Sequence, residues 1–288
     1  MKILVFGHSG QVATELRALH SDAIQITTLA RSDADLTEPA GCAASINAYA
    51  PDAVINAAAY TAVDHAESDA ETAQLINADA PAAMASACAA RDIPFVSIST
   101  DYVFSGAGDT PWKPADDTDP QSVYGRSKRD GEVAIVKADG RYAVLRTSWV
   151  VSAYGNNFVK TMLRLGSDRE ALTIVADQIG SPTGAAEIAQ ACVTIAKTLA
   201  SEPEKSGIYH FSGAPDTSWA DFARVIFDAA NIPCAVTDIP SSDYPTPAKR
   251  PLNSRLDCTT TKAAFGISRL DWRESLTHIL TQLDFPKD

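Results

Sequence analysis

The sequence predicts an α/β fold, a doubly wound parallel sheet followed by a smaller C-terminal part. Three observations carry that expectation. Short apolar runs alternate with Ala-rich helical stretches through the first half of the chain; a glycine-rich turn closes the first run and opens the first helix; and from about residue 150 the rhythm becomes irregular. Strands joined by helices at this spacing pair in parallel through right-handed crossovers.

The runs at 2–6, 24–29, 53–56, 93–98 and 142–147 read as strands, nearly continuous in apolar residues because helices cover both faces of such a sheet. Helical patterns fall at 10–20, 41–49, 70–91 and 122–137, and further ones near 156–166, 184–200, 218–231 and 272–284. The segment 233–251 contains five prolines and reads as an extended loop rather than a regular element.

With 288 residues, 45% apolar and 21% charged, the composition is that of an ordinary globular protein. A net charge of -12 argues against nucleic acid as partner, because that affinity rests on cations neutralising phosphates. A phosphorylated small molecule remains admissible, since it needs only a local pair of basic groups. The N-terminal apolar run is too short for a signal segment, and no stretch approaches 18 uncharged apolar residues, so no membrane association is expected. Five cysteines, an odd number and without CxxC spacing, fit reduced thiols in a cytoplasmic protein.

Gly7-His8-Ser9-Gly10-Gln11-Val12-Ala13 lies directly between the first strand and the first helix. In that setting Gly7 permits a tight turn and Gly10 lets backbone amides approach a pyrophosphate at the helix N-terminus, with Ser9, Gln11 and Val12 beside it. The sheet is therefore expected to be Rossmann-like, with residues 1–150 forming a dinucleotide-binding domain. Residues 151–288 would mainly bind substrate, with some segments (about 184–212) returning to the first domain. At the end of the second strand stands Arg31, where an acid would bond adenosine ribose hydroxyls. It either pairs with a 2′-phosphate, favouring NADPH, or is a solvated arginine; nearby Asp33 keeps NADH open. Asp35-Leu36 either meets an adenine or caps a turn. After the strand at 53–56, the small residues Ala57, Ala58 and Ala59, then Tyr60 and Thr61, would let a flat cofactor lie against the backbone.

Two segments carry the chemistry. Ser97-Ile98-Ser99-Thr100-Asp101 follows a strand, so its hydroxyls would face the phosphate loop's crevice. Tyr124 and Lys128 begin a helix at i and i+4 and share a face. A phenol ordinarily ionises near pH 10. An ammonium beside it favours the phenolate, suiting Tyr124 for proton transfer, and can also bond the nicotinamide ribose.

Together these motifs resemble the extended short-chain dehydrogenase/reductases and, over nearly the full length, the dTDP-4-dehydrorhamnose reductase family among them. The resemblance runs through 7–16, 56–64, 99–104, 124–128, 146–149, 155–158, 177–184 and 244–256, the last two being distinctive of that family. It implies that Thr100, Tyr124 and Lys128 form a catalytic triad and that Asp101 and Trp149 contact substrate. It implies an NAD(P)H-dependent reduction of the C4 ketone of dTDP-4-dehydro-6-deoxy-L-mannose, with Thr100 bonding the carbonyl and Tyr124 giving the proton. Lys249, Arg250 and Arg255, in the proline-rich segment, are candidates for the nucleotide-sugar diphosphate. Some members of the family dimerise through Mg2+ held by glutamates. Glu15 and Glu187 match two of those positions, but the third is Gln282, a poorer ligand for a hard cation. No bound metal is therefore expected, and the chain is taken as a monomer or homodimer.

Two competing readings keep the fold. One is another nucleotide-sugar enzyme, an epimerase or a dehydratase; a dehydratase would be expected to carry a second carboxylate after Thr100-Asp101, where this chain has Tyr102. The other is a non-catalytic regulatory subunit similar to the methionine adenosyltransferase beta subunit, which an intact Tyr124/Lys128 pair disfavours.

Overall fold

The computed structural model describes residues 1–285. The chain begins β1 (Lys2–Phe6), α1 (Gln11–Ala18), β2 (Gln25–Leu29), α2 (Pro39–Tyr49) and β3 (Ala53–Asn56). A short α3 (Val63–Ala66), α4 (Ala70–Gln74), a π turn at Leu75–Asp79 and α5 (Ala80–Ala90) lead to β4 (Phe95–Thr100). A 3-10 turn at Asp101–Val103 precedes α6 (Val123–Lys137) and β5 (Tyr142–Thr147). The remainder comprises β6 (Val150–Val151), α7 (Phe158–Asp168), β7 (Ala171–Val175), β8 (Ile179–Gly180), β9 (Thr183–Gly184) and α8 (Ala185–Ser201). It ends with β10 (Gly207–His210), β11 (Thr217–Ser218), α9 (Trp219–Ala229), β12 (Ala235–Ile239), α10 (Thr259–Phe265) and α11 (Trp272–Gln282).

Six strands form one parallel sheet in the order β10-β5-β4-β3-β1-β2. The chain leaves β1 towards β2 on one side and continues from β3 on the other, which opens a crevice above the carboxyl ends. The register aligns those ends: Phe6 pairs with Leu29 and Asn56, Asn56 with Ser97, and Thr100 with Thr147. Apolar side chains of α1 and α8 cover one face of the sheet. Those of α2, α5 and α6 cover the other. A separate core joins α7, α9 and α11, with Phe222, Phe227 and Trp272 at its centre.

The structure differs from the sequence-based expectation in two places that bear on the site. The helix expected over 70–91 is broken by the π turn. Pro81 has no N–H to give the Asn77 carbonyl, so the regular ladder fails there. Gly131 of α6 packs against that carbonyl, where an added Cβ would come within 2.2 Å of the Asn77 oxygen. The Asn77 side chain in turn accepts from Tyr60 N (2.8 Å) and donates to Ser127 Oγ (3.0 Å), docking α6. The segment 233–251 is not loop throughout. Between its first two prolines, β12 pairs in parallel with β7 along Ala235–Ile239, because alternating Ala-Val-Thr-Asp-Ile supplies the amides the flanking prolines lack.

Candidate active site

The carboxyl ends of the sheet open into a cleft of about 820 Å³ lined from both parts of the chain. Its adenosine end is built by β1, α1 and β2. Gly7 adopts φ +113, and an added Cβ would sit 3.4 Å from the backbone of Ala57. Gly10 is the N-cap of α1 and gives the first turn no side-chain cap. A Cβ there would meet nothing within 4 Å, so free backbone amides face open space of the kind an anion fills. Ser9, Gln11, Val12, Arg31, Asp35, Leu36, Ala57, Ala58, Ala59 and Thr61 also line the cleft.

Gln11, Asp35 and Tyr60 are each engaged by protein partners, and for Asp35 the turn-capping alternative is the one observed. Gln11 Oε1 accepts from Ser152 Oγ and Asn157 Nδ2, each at 3.0 Å, tying the phosphate loop to the segment before α7. Asp35 accepts from Thr37 N (2.9 Å), Thr37 Oγ1 (2.8 Å) and Arg31 Nε (3.0 Å), so it caps a turn and neutralises Arg31. Those bonds, led by the Thr37 amide, hold its carboxyl down at about 2. Tyr60 is outside the cleft lining; its hydroxyl donates to Asp69 Oδ2 at 3.0 Å and contacts His65.

At the other end, α6 brings Tyr124 and Lys128 against the end of β4. Ser122 caps the helix by accepting from Gly125 N at 3.1 Å. Both Tyr124 and Lys128 are buried, at 9% and 5% exposure. Lys128 Nζ donates to the Ile98 carbonyl at 2.7 Å, and burial brings its ammonium down to about 8 against the opposing charge of Glu132. Burial pushes the Tyr124 phenol well above its usual value, against a hydrogen bond with Thr100. Desolvation outweighs every nearby group, and the ammonium is engaged with the strand end.

Thr100 Oγ1 donates to Asp101 Oδ1 at 3.1 Å and accepts from Tyr102 N at 3.2 Å. Asp101 is 2% exposed, and burial lifts its carboxyl to about 6, against the hydroxyls of Ser254 and Thr100. Between pH 3.8 and about 6 the folded protein thus binds more protons than the unfolded chain, and stability falls as pH rises through that window. Asp101→Asn is expected to be more stable than wild type at pH 8, by at most about 3 kcal/mol, and so to melt higher, with the difference vanishing below pH ~4. Calorimetry at both pH values checks this; equal melting temperatures at pH 8 would show that the buried carboxylate carries no cost.

The far wall is aromatic. Trp149 adopts φ +50 and stacks on Trp219 with ring centroids 3.6 Å apart and planes 13° from parallel. Gly180 makes room, since a Cβ there would lie 2.8 Å from Trp149 Cε2. Trp219, Tyr102, Ser148 and Asn156 line the cleft and were not anticipated. The one local signal for Trp219 was its place at the start of α9, after Ser218, whose hydroxyl accepts from Asp221 N at 3.0 Å.

The chain matches the family model described as RmlD substrate binding domain over residues 1–285. It is 44% identical to the dTDP-4-dehydrorhamnose reductase of Sinorhizobium fredii (strain NBRC 101917 / NGR234), covering 98% of both chains. The chain belongs to the dTDP-4-dehydrorhamnose reductase family. Solved structures agree. A dTDP-4-dehydrorhamnose reductase from Clostridium acetobutylicum ATCC 824 superposes with a TM-score of 0.91 at 35% identity, over 98% of this chain and 99% of that one. The dTDP-4-dehydrorhamnose reductase of Bacillus anthracis str. Ames, in complex with NADP, gives 0.90 at 32%, again over 98% and 99%.

The positions expected to meet substrate fare unevenly. Thr100, Asp101 and Trp149 line the cleft; Lys249, Arg250 and Arg255 do not. Lys249 Nζ donates to Gln121 Oε1 at 3.2 Å, and Arg250 pairs with Asp64 at 2.5 Å. Arg255 donates to Asn253 Oδ1 at 3.1 Å and lies 3.7 Å from Asp216. Each cation is thus turned to a protein partner, and Lys249 and Arg250 staple the proline-rich segment. Glu15 feels the charges of Glu187 and His278, and Glu187 accepts from Ser275 Oγ at 2.7 Å; Gln282 is exposed. Among the described residues, no three His, Cys, Asp or Glu side chains gather as metal ligands. No described helix is long and apolar enough to cross a membrane.

Proposed function

We propose that this chain reduces the C4 ketone of dTDP-4-dehydro-6-deoxy-L-mannose to dTDP-L-rhamnose with NADPH, NADH serving less well. The observation that carries the reading is the meeting of Thr100, Tyr124 and Lys128 with the Gly7–Gly10 turn in one cleft. The thymidine nucleotide follows from the names of the relatives and not from any base-recognising element. Residues 1–150 would hold the cofactor and residues 151–288 mainly the sugar nucleotide, with about 184–212 supporting the sheet.

The residues present fit a dinucleotide. The bare N-terminus of α1 and the space above Gly10 suit the diphosphate, and Ala57–Ala59 leave the strand ends flat. Lys128 would bond ribose hydroxyls. A bound reduced nicotinamide supplies a hydride to the ketone carbon. The Thr100 hydroxyl donates to the ketone oxygen and orients it. Tyr124 donates its phenolic proton to that oxygen as negative charge develops there. Burial keeps the phenol in its protonated, donating form through the neutral range. The Lys128 ammonium then stabilises the phenolate left behind, which takes its proton back from solvent. Trp149 and Trp219 offer an apolar wall to the 6-deoxy carbon.

Tyr102 follows Asp101 where a dehydratase would be expected to need a second carboxylate, which disfavours elimination. The deciding experiment follows absorbance at the nicotinamide band with purified protein and the keto sugar nucleotide. Oxidation of NADPH is expected at turnover numbers near 1–10³ s⁻¹, with order-of-magnitude scatter. No oxidation with either NADPH or NADH would sink the reading in favour of a non-catalytic scaffold.

A further inference from the structure

Beneath the cleft lies a buried charge cluster that the reaction as written does not use. Glu132 stands one helical turn beyond Lys128 and two beyond Tyr124, on the same face of α6, at 4% exposure. Arg146 of β5, at 2% exposure, grips it with Nε 3.0 and 3.1 Å from the two carboxylate oxygens and Nη2 2.6 Å from one of them. Ser99 Oγ donates to the same carboxylate at 2.5 Å.

Arg146 is itself held from behind. Its Nη1 donates to the Pro114 carbonyl at 3.2 Å, and its guanidinium lies 4.9 Å from the centre of the Phe104 ring. His210 Nδ1 is 3.0 Å from the Trp112 carbonyl, which can only accept, so that nitrogen carries the proton. His210 Nε2 is then free to accept from Arg146 Nη1 at 3.4 Å. Burial, then the Arg146 charge, hold the imidazole down at about 3, so it is neutral throughout the working range.

A buried ion pair with this geometry could be nothing more than a staple between α6 and β5, and such pairs are weak evidence of net stability. Two features go further. Glu132 is the charge that opposes desolvation at Lys128. Its third bond, from Ser99, clamps the short stretch of β4 whose Ile98 carbonyl holds Lys128 Nζ and whose next residue is Thr100. One carboxylate therefore reaches two members of the proposed triad through their supports and touches neither substrate nor cofactor.

We propose that Glu132, locked by Arg146, is a positioning residue: it sets the end of β4 under Lys128 and supplies the counter-charge of that buried ammonium. The inference rests on the reductase reading for the role of Lys128. The charged and titratable groups around Lys128 are Tyr124 and Glu132 on its own helix, Arg146 on β5 and Asp101 after β4, with neutral His210 on β10 behind Arg146.

The test follows the NADPH dissociation constant by nucleotide fluorescence, and turnover, from pH 6 to 10. In wild type both should weaken as pH rises through about 8, where Lys128 loses its proton. Glu132→Gln should move that midpoint down by about one pH unit, because desolvation then acts unopposed; Glu132→Asp, which keeps the charge, should recover part of the shift. Glu132→Gln leaves Arg146 buried without a counter-charge, so the double variant Glu132→Gln/Arg146→Met, which leaves no orphan charge, is measured beside it. A wild-type midpoint in either folded variant, or loss of the fold in both, overturns the proposal and leaves the pair a staple. Normal pH-dependent NADPH binding by a wild type that reduces no sugar nucleotide would overturn the reductase reading alone.

Discussion

Replacing Tyr124 by Phe is expected to cut turnover by about 10²–10⁴-fold, or ~3–5.5 kcal/mol of barrier, with the NADPH dissociation constant nearly unchanged. The substitution isolates the hydroxyl. The Tyr124 ring packs edge-on against Tyr102 with centroids 5.5 Å apart, a contact that Phe preserves. Lys128 takes its anchoring bond from the Ile98 carbonyl and not from the phenol, so its place survives the change. What disappears is the phenolic donor of Tyr124, which burial keeps protonated at neutral pH. The variant should also melt close to wild type, since Thr100 loses its bond to the phenol but keeps those with Asp101 and Tyr102 N. Stopped-flow reduction and cofactor titration separate the two quantities. Full turnover in the Phe variant would remove Tyr124 as proton donor, whatever its position.

The relation between Tyr124 and Lys128 shows where sequence reasoning ends. Their i, i+4 spacing is a fact of helix geometry and was legible at once. Which group shifts the other depends on burial and on where the lysine finds its hydrogen bond, and no spacing encodes either. The same holds for charge. Lys249, Arg250 and Arg255 stand out in sequence because prolines surround them. The acids and the amide that engage them, Asp64, Gln121 and Asp216, come from remote stretches of chain. Local pattern was most informative where one backbone feature decides the outcome, as at Gly7, Gly10 and the continuous apolar strands. It was least informative where two distant segments decide together. The β7–β12 pair hides behind prolines that bracket a strand without interrupting it, and Trp219 gains meaning only from the Trp149 ring 3.6 Å away.

Gly125 offers the sharpest test of how tightly the catalytic helix is held. It follows Tyr124 directly, and an added Cβ would come within 2.2 Å of the Tyr102 carbonyl oxygen and 3.0 Å of Pro120 Cβ. Neither obstacle is a flexible side-chain tip, so a methyl group can be admitted only if α6 lifts off the Asp101–Val103 turn. Alanine gains about 1 kcal/mol of helix propensity over glycine. Overpacking a closed contact costs about 1–3 kcal/mol, so Gly125→Ala should be destabilised on balance. The larger effect falls on catalysis, because the lift carries the Tyr124 hydroxyl away from Thr100, and a misplacement of ~1 Å costs about 10²-fold. Cofactor affinity should change much less, since the phosphate loop belongs to β1 and α1. Melting temperature, kcat/KM and NADPH affinity measured together decide the point. A Gly125→Ala protein with wild-type activity would mean that α6 slides freely on the turn, and that the ordering of Thr100 and Tyr124 by close packing is not what sets the rate.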